Sequence, residues 1–311
     1  MKKKLIFCAY AYDDTMKSGE NVKEIENKQE LYLKNAVVAL VSAKTYNPDC
    51  EVAIVSNISI PKKYIDLLDS FNILVFYEPF NEYRFDSNFS WGLAFYKLCA
   101  LKKMLSRNYS EYLLLDTDTY TQSSLNDMWS ETKDNILLYD INHRASNLDC
   151  ITFNNELSSM GIKKKNITNY GGEFIAGSRE LLEKFIYECD DIFKQMIKMN
   201  VITKMGDEFV IRIAADRLKL IIKNGGGYIF RFWTGSFYLV STCYKFNQVS
   251  ILHVPREKKH GMLNIFNYLN KHGKLPSNNK IYKMLSLNKP TILIRLKIYL
   301  NKYKNKYLEQ K

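Results

Sequence analysis

Two aspartates one residue apart, Asp116 and Asp118, close the run Glu111-Tyr112-Leu113-Leu114-Leu115. Hard carboxylate oxygens on a tight turn suit Mg²⁺ or Mn²⁺ held together with a substrate diphosphate. The blander use of the pair is to cap a turn and the short helix expected from Ser123 to Trp129. Position favours the metal. Tyr112 to Leu115 shows no polar alternation, so it reads as a strand buried on both faces of a parallel sheet. Open α/β sheets take their ligands at the carboxyl ends of such strands. Asp118 is the first choice for direct ligation, with Asp116 on the metal or on a ribose. His253 closes the late strand expected over Val249 to Val254 and offers a third, imidazole ligand, which favours Mn²⁺. A lone histidine there is equally suited to a structural role. Asp207-Glu208, after Gly206, is a second carboxylate pair. It serves either as acid–base or nucleophilic groups, or as acids favoured by a helix N-terminus.

The elements that must position these groups alternate between strand and helix. Leu5 to Tyr12 reads as strand one and Asn27 to Tyr46 as a helix stopped by Asn47-Pro48, with a polar loop from Lys17 to Glu26 between them. Glu51 to Ser56 and Asn72 to Tyr77 read as strands around a helix that Pro61 opens. Ser90 to Ser106 is a helix leading to the strand before Asp116. Ile136 to Ile141 is a further strand, and Asn142 to Asn169 a long polar loop with Lys163-Lys164-Lys165. Phe174 to Ala176 is a strand core between Gly171-Gly172 and Gly177. Arg179 to Asn200 is an amphipathic helix, and Asp207 to Ala215 another. Tyr228 to Val240 is aromatic and strand-like. The alternation predicts an α/β fold with a mostly parallel, right-handed βαβ sheet flanked by helices. Tyr10 and Tyr12 end strand one beside the expected switch point, where an aromatic can stack on a base and Asp13 can accept a hydrogen bond. No Gly-x-Gly-x-x-Gly follows strand one and no Walker A sequence occurs. Any phosphate must therefore meet metal and cations, with Lys97, Arg84, Lys258 and Lys259 as candidates.

The 311 residues are 46% hydrophobic, a globular composition, and carry a net charge of +12. Such a balance suits phosphorylated substrates, an anionic membrane surface or nucleic acid. The six cysteines have no metal-ligand or redox spacing, and several sit in apolar runs, so they read as reduced and structural in a cytoplasmic protein. The lysine-rich start resembles a signal peptide, but its apolar part soon meets Asp13 and Asp14, so a first strand is expected. No apolar run reaches the ~18 residues of a membrane span. Asn288 to Lys311 holds seven Lys or Arg and one Glu, with Ile292, Leu296, Tyr299, Leu300, Tyr303 and Tyr307 at helical spacing. That stretch is expected either to lie peripherally on anionic lipid at the inner membrane face or to pack on the body as a solvated basic helix. The organisation expected is a catalytic domain over 1–262 and a helical basic extension over 263–311.

Taken together, these residues resemble nucleotide-sugar glycosyltransferases of the GT-A fold. Leu113 to Asp118 is similar to that family's strand and Asp-x-Asp motif. Phe95-Tyr96-Lys97-Leu98 lies where members carry a basic residue near the nucleotide. Tyr170 to Gly177 is similar to the glycine-rich strand on the acceptor side, and Gly206-Asp207-Glu208-Phe209 to the Asp-Glu helix start of retaining members. Ile251-Leu252-His253 resembles the strand-end histidine of the glycogenin and bacterial lipooligosaccharide galactosyltransferase type. The spacing from Gly171 to Glu208 is nearer the blood-group transferase type. The pattern His-x-x-Gly-x-Lys-Pro-Trp is absent. His253 is followed instead by Val254-Pro255-Arg256-Glu257-Lys258-Lys259-His260, which leaves the third metal ligand open between His253 and His260.

The resemblance implies a metal-dependent hexosyltransferase-like enzyme. It would use Mn²⁺ or Mg²⁺ and move a sugar from a nucleotide-diphosphate sugar, UDP-sugar foremost, to a glycan or lipid-linked acceptor in surface polysaccharide synthesis. Tyr10, Tyr12, Asp13, Lys97 and Asp116 would bind the nucleotide. Asp207, Glu208 and Glu173 would be the catalytic carboxylates, with a preference for retention. As residues, Trp233 and Tyr238 suit either an apolar acceptor platform or, more commonly, core packing. A nucleotidyltransferase of related topology is the alternative, but it usually carries a glycine-rich phosphate loop that is missing here. A non-enzymatic nucleic-acid binder ranks last, since outside the C-terminal stretch the positive charge is scattered.

Overall fold

A computed structural model describes residues 3–13, 28–85, 89, 91–142, 147–163, 167–234 and 248–287, with 292, 293, 296 and 300. The expected loop 17–26, Lys164 and Lys165, Tyr238 and most of 288–311 lie outside the described residues. The central sheet has seven strands: β1 (Lys4–Tyr10), β2 (Glu51–Ser56), β3 (Ile73–Tyr77), β4 (Glu111–Leu115), β6 (Ile136–Asp140), β7 (Tyr170–Ser178) and β8 (Ile222–Asn224). Their order is β3-β2-β1-β4-β7-β6-β8, and only β7 runs against its neighbours, so the sheet is mostly parallel as expected. Alternate side chains enter two cores. Ile6, Cys8, Leu113 and Leu115 face one side, and Leu5, Phe7, Tyr112 and Leu114 the other.

On the first side lies α1 (Lys28–Tyr46), buried on most of its surface because it is packed between the sheet and α8 (Gly261–His272). On the other lie α3 (Tyr96–Leu105), α6 (Arg179–Lys198) and α7 (Asp207–Arg217). The segment expected to begin an extension after residue 262 contributes Ile265, Phe266 and Leu269 of α8 and Ile281 of α9 (Asn278–Met284) to the first core. Among the described residues no helix is long and apolar enough to cross a membrane.

Two short features bring the chemistry together. The chain leaves β4 through Asp116 to Asp118 and enters β5 (Thr119–Thr121), an edge of a second sheet ordered β5-β10-β9. Here β9 is Ile229–Arg231 and β10 is Ile251–His253. The other feature is a break in register between β6 and β7. Leu138 pairs with Ile175, yet Tyr139 pairs with Gly171. Gly172, Glu173 and Phe174 therefore leave the β6 ladder, and such irregularities commonly re-aim side chains at active sites.

Three expectations are corrected. Asn142 to Asn169 is not one long loop but contains α5 (Asn147–Ser159). Its buried apolar side is thin, chiefly Phe153 and Leu157, so helical periodicity was weak. The strand expected over Tyr228 to Val240 is limited to β9 among the described residues. The helix expected from Ser90 opens as a 3₁₀ turn, Gly92–Phe95, and becomes α-helical at Tyr96.

Candidate active site

Register in the small sheet explains how residues far apart in sequence meet. His253 pairs with Thr119 on one side and with Arg231 on the other. Directly opposed residues share a sheet face, so His253 and Arg231 project together beside the Asp116–Asp118 turn. Two backbone bonds fix that turn: the Asp116 N–H donates to the Glu173 carbonyl at 3.1 Å, and the Val254 N–H to the Asp118 carbonyl at 3.0 Å. His253 Nε2 then lies 3.3 Å from Asp118 Oδ2 and 4.0 Å from Asp116 Oδ2. Ligand atoms of all three residues fall within 4.8 Å of one another. That donor set, two carboxylate oxygens and an imidazole nitrogen, could hold a divalent cation. His260 is exposed ahead of α8 and takes no part.

Around these three the charges are matched closely. Lys258 donates to Asp118 Oδ2. Its loop is pinned by the buried Glu257, which accepts from the Gly261 N–H and the Thr234 hydroxyl. Lys97, from the first turn of α3, bridges Asp116 Oδ1 at 3.1 Å and Asp207 Oδ2 at 2.9 Å, and donates to the Gly172 carbonyl at 3.0 Å. Arg231 forks onto Glu173 through Nε at 2.7 Å and Nη2 at 2.6 Å, and reaches Glu208 Oε1 at 3.2 Å. Arg212 holds the other Glu208 oxygen at 3.1 Å. Five acids, Asp116, Asp118, Glu173, Asp207 and Glu208, thus face four permanent cations, Lys97, Lys258, Arg212 and Arg231.

His253 supplies the fifth positive charge. Burial opposes its imidazolium, but Asp118 and Glu173 outweigh burial and raise its pKa to about 9. Burial also works against the Asp118 carboxylate, yet Lys258 and His253 hold it well below the usual range. Arg231 and His253 do the same for Glu173. Asp207 differs: burial dominates, its one cation is shared, and its pKa rises to about 6.

The glycines make this density possible. A Cβ on Gly171 would run into the Glu173 carboxylate and sit 2.7 Å from Arg231 Nη2. One on Gly172 would strike Asp207 and sit 2.8 Å from Lys97 Nζ. Gly206, which precedes Asp207, has φ +64°, a conformation that glycine adopts without strain.

The expected residues do not all converge. Asp116, Asp118, His253, Lys97, Glu173, Asp207 and Glu208 form one network. Tyr10 does not join it. It follows Ile6 and Cys8 onto the face covered by α1, is buried in that core, and donates its hydroxyl to the Gln29 carbonyl at 3.0 Å. Its ring is therefore not available to stack on a base. Tyr12 is tied through its backbone to the Asn57 side chain, and Asp13 pairs with Arg84 at 2.8 Å. Arg84 is thus engaged at the end of β1. Trp233 packs near Arg256, whose guanidinium lies 5.8 Å from its ring. Arg231 and Arg212 carried no sequence signal; their role depends on cross-strand register and on one turn of helix from Glu208.

No protein-family model matches the chain, and no curated protein matches it in sequence. In structure the chain is similar to galactosyltransferase LgtC, solved in complex with donor and acceptor sugar analogs. The identity is 11%, the match covers 80% of this chain and 86% of that one, and the TM-score is 0.49.

Proposed function

We propose that this protein is a metal-dependent glycosyltransferase of the GT-A type, taking a sugar from a nucleotide-diphosphate donor, UDP-linked foremost. The observation that carries the reading is the Asp116, Asp118 and His253 cluster at the carboxyl end of β4, beside a second carboxylate pair. That is where an open α/β sheet takes its ligand. A bound Mn²⁺ or Mg²⁺ would neutralise the charge that gathers on the departing diphosphate. Asp118 and His253 are the fixed members of the site, and Asp116 the open one. Lys97 and Lys258, which contact Asp116 and Asp118, are assigned to the diphosphate. Tyr12 and Asp13, which follow β1, are assigned to the nucleoside.

Of the second pair, Glu208 is the group offered to the sugar. It is the more open carboxylate, and two guanidinium groups fix its orientation. In a retaining reaction it would sit beneath the anomeric carbon as nucleophile or ion-pair stabiliser. Asp207 stands behind Lys97 and positions it. The acceptor is taken to be a glycan or lipid-linked sugar in surface polysaccharide synthesis. The basic stretch 288–311 is assigned to the anionic membrane face, and Ile292, Leu293, Leu296 and Leu300 are each more than half exposed.

The test is acceptor-free hydrolysis of a panel of UDP-, GDP- and CMP-sugars, with and without Mn²⁺. Nucleotide should be released from one donor, and the release lost with chelator and in Asp118→Ala. Silence across the panel, with no Mn²⁺-dependent thermal shift from any nucleotide, would overturn the reading.

A further inference from the structure

We infer that Glu173 is a positioning residue for the metal centre: clamped by Arg231, it holds the Nδ1 edge of His253 and turns Nε2 toward Asp116 and Asp118. This rests on the metal reading above and assigns Glu173 a place in it other than catalysis on the sugar.

Glu173 is one of the most enclosed carboxylates in the molecule, with 1% of its side chain exposed. Both of its oxygens are engaged. Oε1 accepts from Arg231 Nε at 2.7 Å and lies 3.1 Å from His253 Nδ1, while Oε2 accepts from Arg231 Nη2 at 2.6 Å. A nucleophile or base must be open to the substrate; Glu208 is also held by two arginines but keeps 24% of its side chain exposed, whereas Glu173 is sealed. What it does have is the contact a metal-binding histidine needs. Carboxylates bonded to the second ring nitrogen of such histidines fix the ring's orientation and tautomer. With Nδ1 held by Glu173, Nε2 is the nitrogen left for Asp118, at 3.3 Å.

Two further observations fit a built device. The residues come from three strands that meet here only because β7 leaves the β6 ladder at Gly172–Phe174 and because His253 and Arg231 are in register. In addition, the chain omits a side chain at Gly171, where a Cβ would collide with the Glu173 carboxylate and crowd Arg231. Arg231 also touches Glu208, so the clamp and the open carboxylate share one guanidinium.

The experiment is Mn²⁺ titration of the full-length protein by electron paramagnetic resonance, without nucleotide, on wild type, Glu173→Gln and Glu173→Ala. Thermal melts run alongside to establish folding. Glu173→Ala should weaken Mn²⁺ binding by roughly 10- to 100-fold, the range for loss of such partners. Glu173→Gln keeps the shape but not the charge and should weaken it severalfold. If Glu173→Ala does not fold, Glu173→Gln decides alone. Folded variants with wild-type Mn²⁺ affinity but lost turnover would overturn the inference and return Glu173 to the substrate. Wild-type protein that binds no Mn²⁺ would instead overturn the metal reading, and this inference with it.

Discussion

Asp116 and Asp118, on the turn after β4, differ from Asp207 and Glu208, at the head of α7, in what faces the buried member of each pair. Each pair has one sealed carboxylate, Asp118 at 2% side-chain exposure and Asp207 at 5%, and one open carboxylate, Asp116 at 29% and Glu208 at 24%. Burial penalises the charge of both sealed groups. Asp118 has Lys258 and His253 against it and is held ionised. Asp207 has only Lys97, which it shares with Asp116, and its pKa rises to about 6. Similar burial therefore gives opposite shifts, decided by the charges that face each carboxylate: two cations at Asp118, one shared cation and the acids Glu208 and Asp116 at Asp207. The first pair has its sealed member held ionised by two cations; in the second the sealed member takes up a proton more readily, and the open member is oriented by arginines.

The strongest way to break this comparison is to remove the sealed member of the first pair. Asp118→Asn should abolish Mn²⁺ binding and lower donor hydrolysis by roughly 10³-fold, and it removes the carboxylate that the buried Lys258 pairs with. A variant that keeps metal-dependent turnover would sink the metal assignment. Next is the open member of the second pair. Glu208→Gln should lower turnover by roughly 10²- to 10³-fold and leave Mn²⁺ affinity unchanged, a split read from kinetics and metal titration on one preparation. Loss of metal binding with turnover per bound metal intact would reverse the roles given to the two pairs.

How much of this was readable in the residues follows from the range of the interactions. The β4 run and the Asp-x-Asp turn were legible because a strand buried on both faces must be apolar throughout. The helix start at Asp207 was legible from Gly206 and two acids in sequence. His253 was found as a strand end, but its partner Arg231 was not. β5, β9 and β10 each pair over three residues, too few to show a period, and their register brings together positions far apart in sequence. Lys258 was one candidate among 45 basic residues until the Glu257-pinned loop set it on Asp118. Tyr10 is a different case. Strand alternation places it with Ile6 and Cys8, so its burial was available from period two, and the aromatic ring at a strand end outweighed that signal.

The remaining predictions test charge states rather than chemistry. The His253 pKa is raised from 6.5 to about 9, so its proton stabilises the metal-free fold fully below pH 6.5, and that contribution is lost as pH rises through 9. At about 1.4 kcal/mol per unit the loss is on the order of 3 kcal/mol. It should appear as a falling denaturation midpoint between pH 6.5 and 9 that Mn²⁺ reverses and His253→Asn lacks. A flat profile in wild type would mean that Asp118 and Glu173 do not hold the proton.

Asp207 gives the smallest and most discriminating effect. Its pKa is raised from 3.8 to about 6, so the folded state takes up its proton before the unfolded chain does. The stability this confers is present below pH 3.8 and lost as pH climbs through 6, opposite to Asp118, whose contribution grows with pH over the acid range. Asp207→Asn mimics the neutral form, and Lys97 keeps Asp116 as its charge partner. The variant should therefore match wild type near pH 4 and melt above it at pH 7.5, its stability rising more steeply from pH 4 to 6. If Asp207→Asn is instead as damaging at pH 7.5 as Asp118→Asn, Asp207 is a fixed charge like Asp118, and the contrast between the two pairs fails.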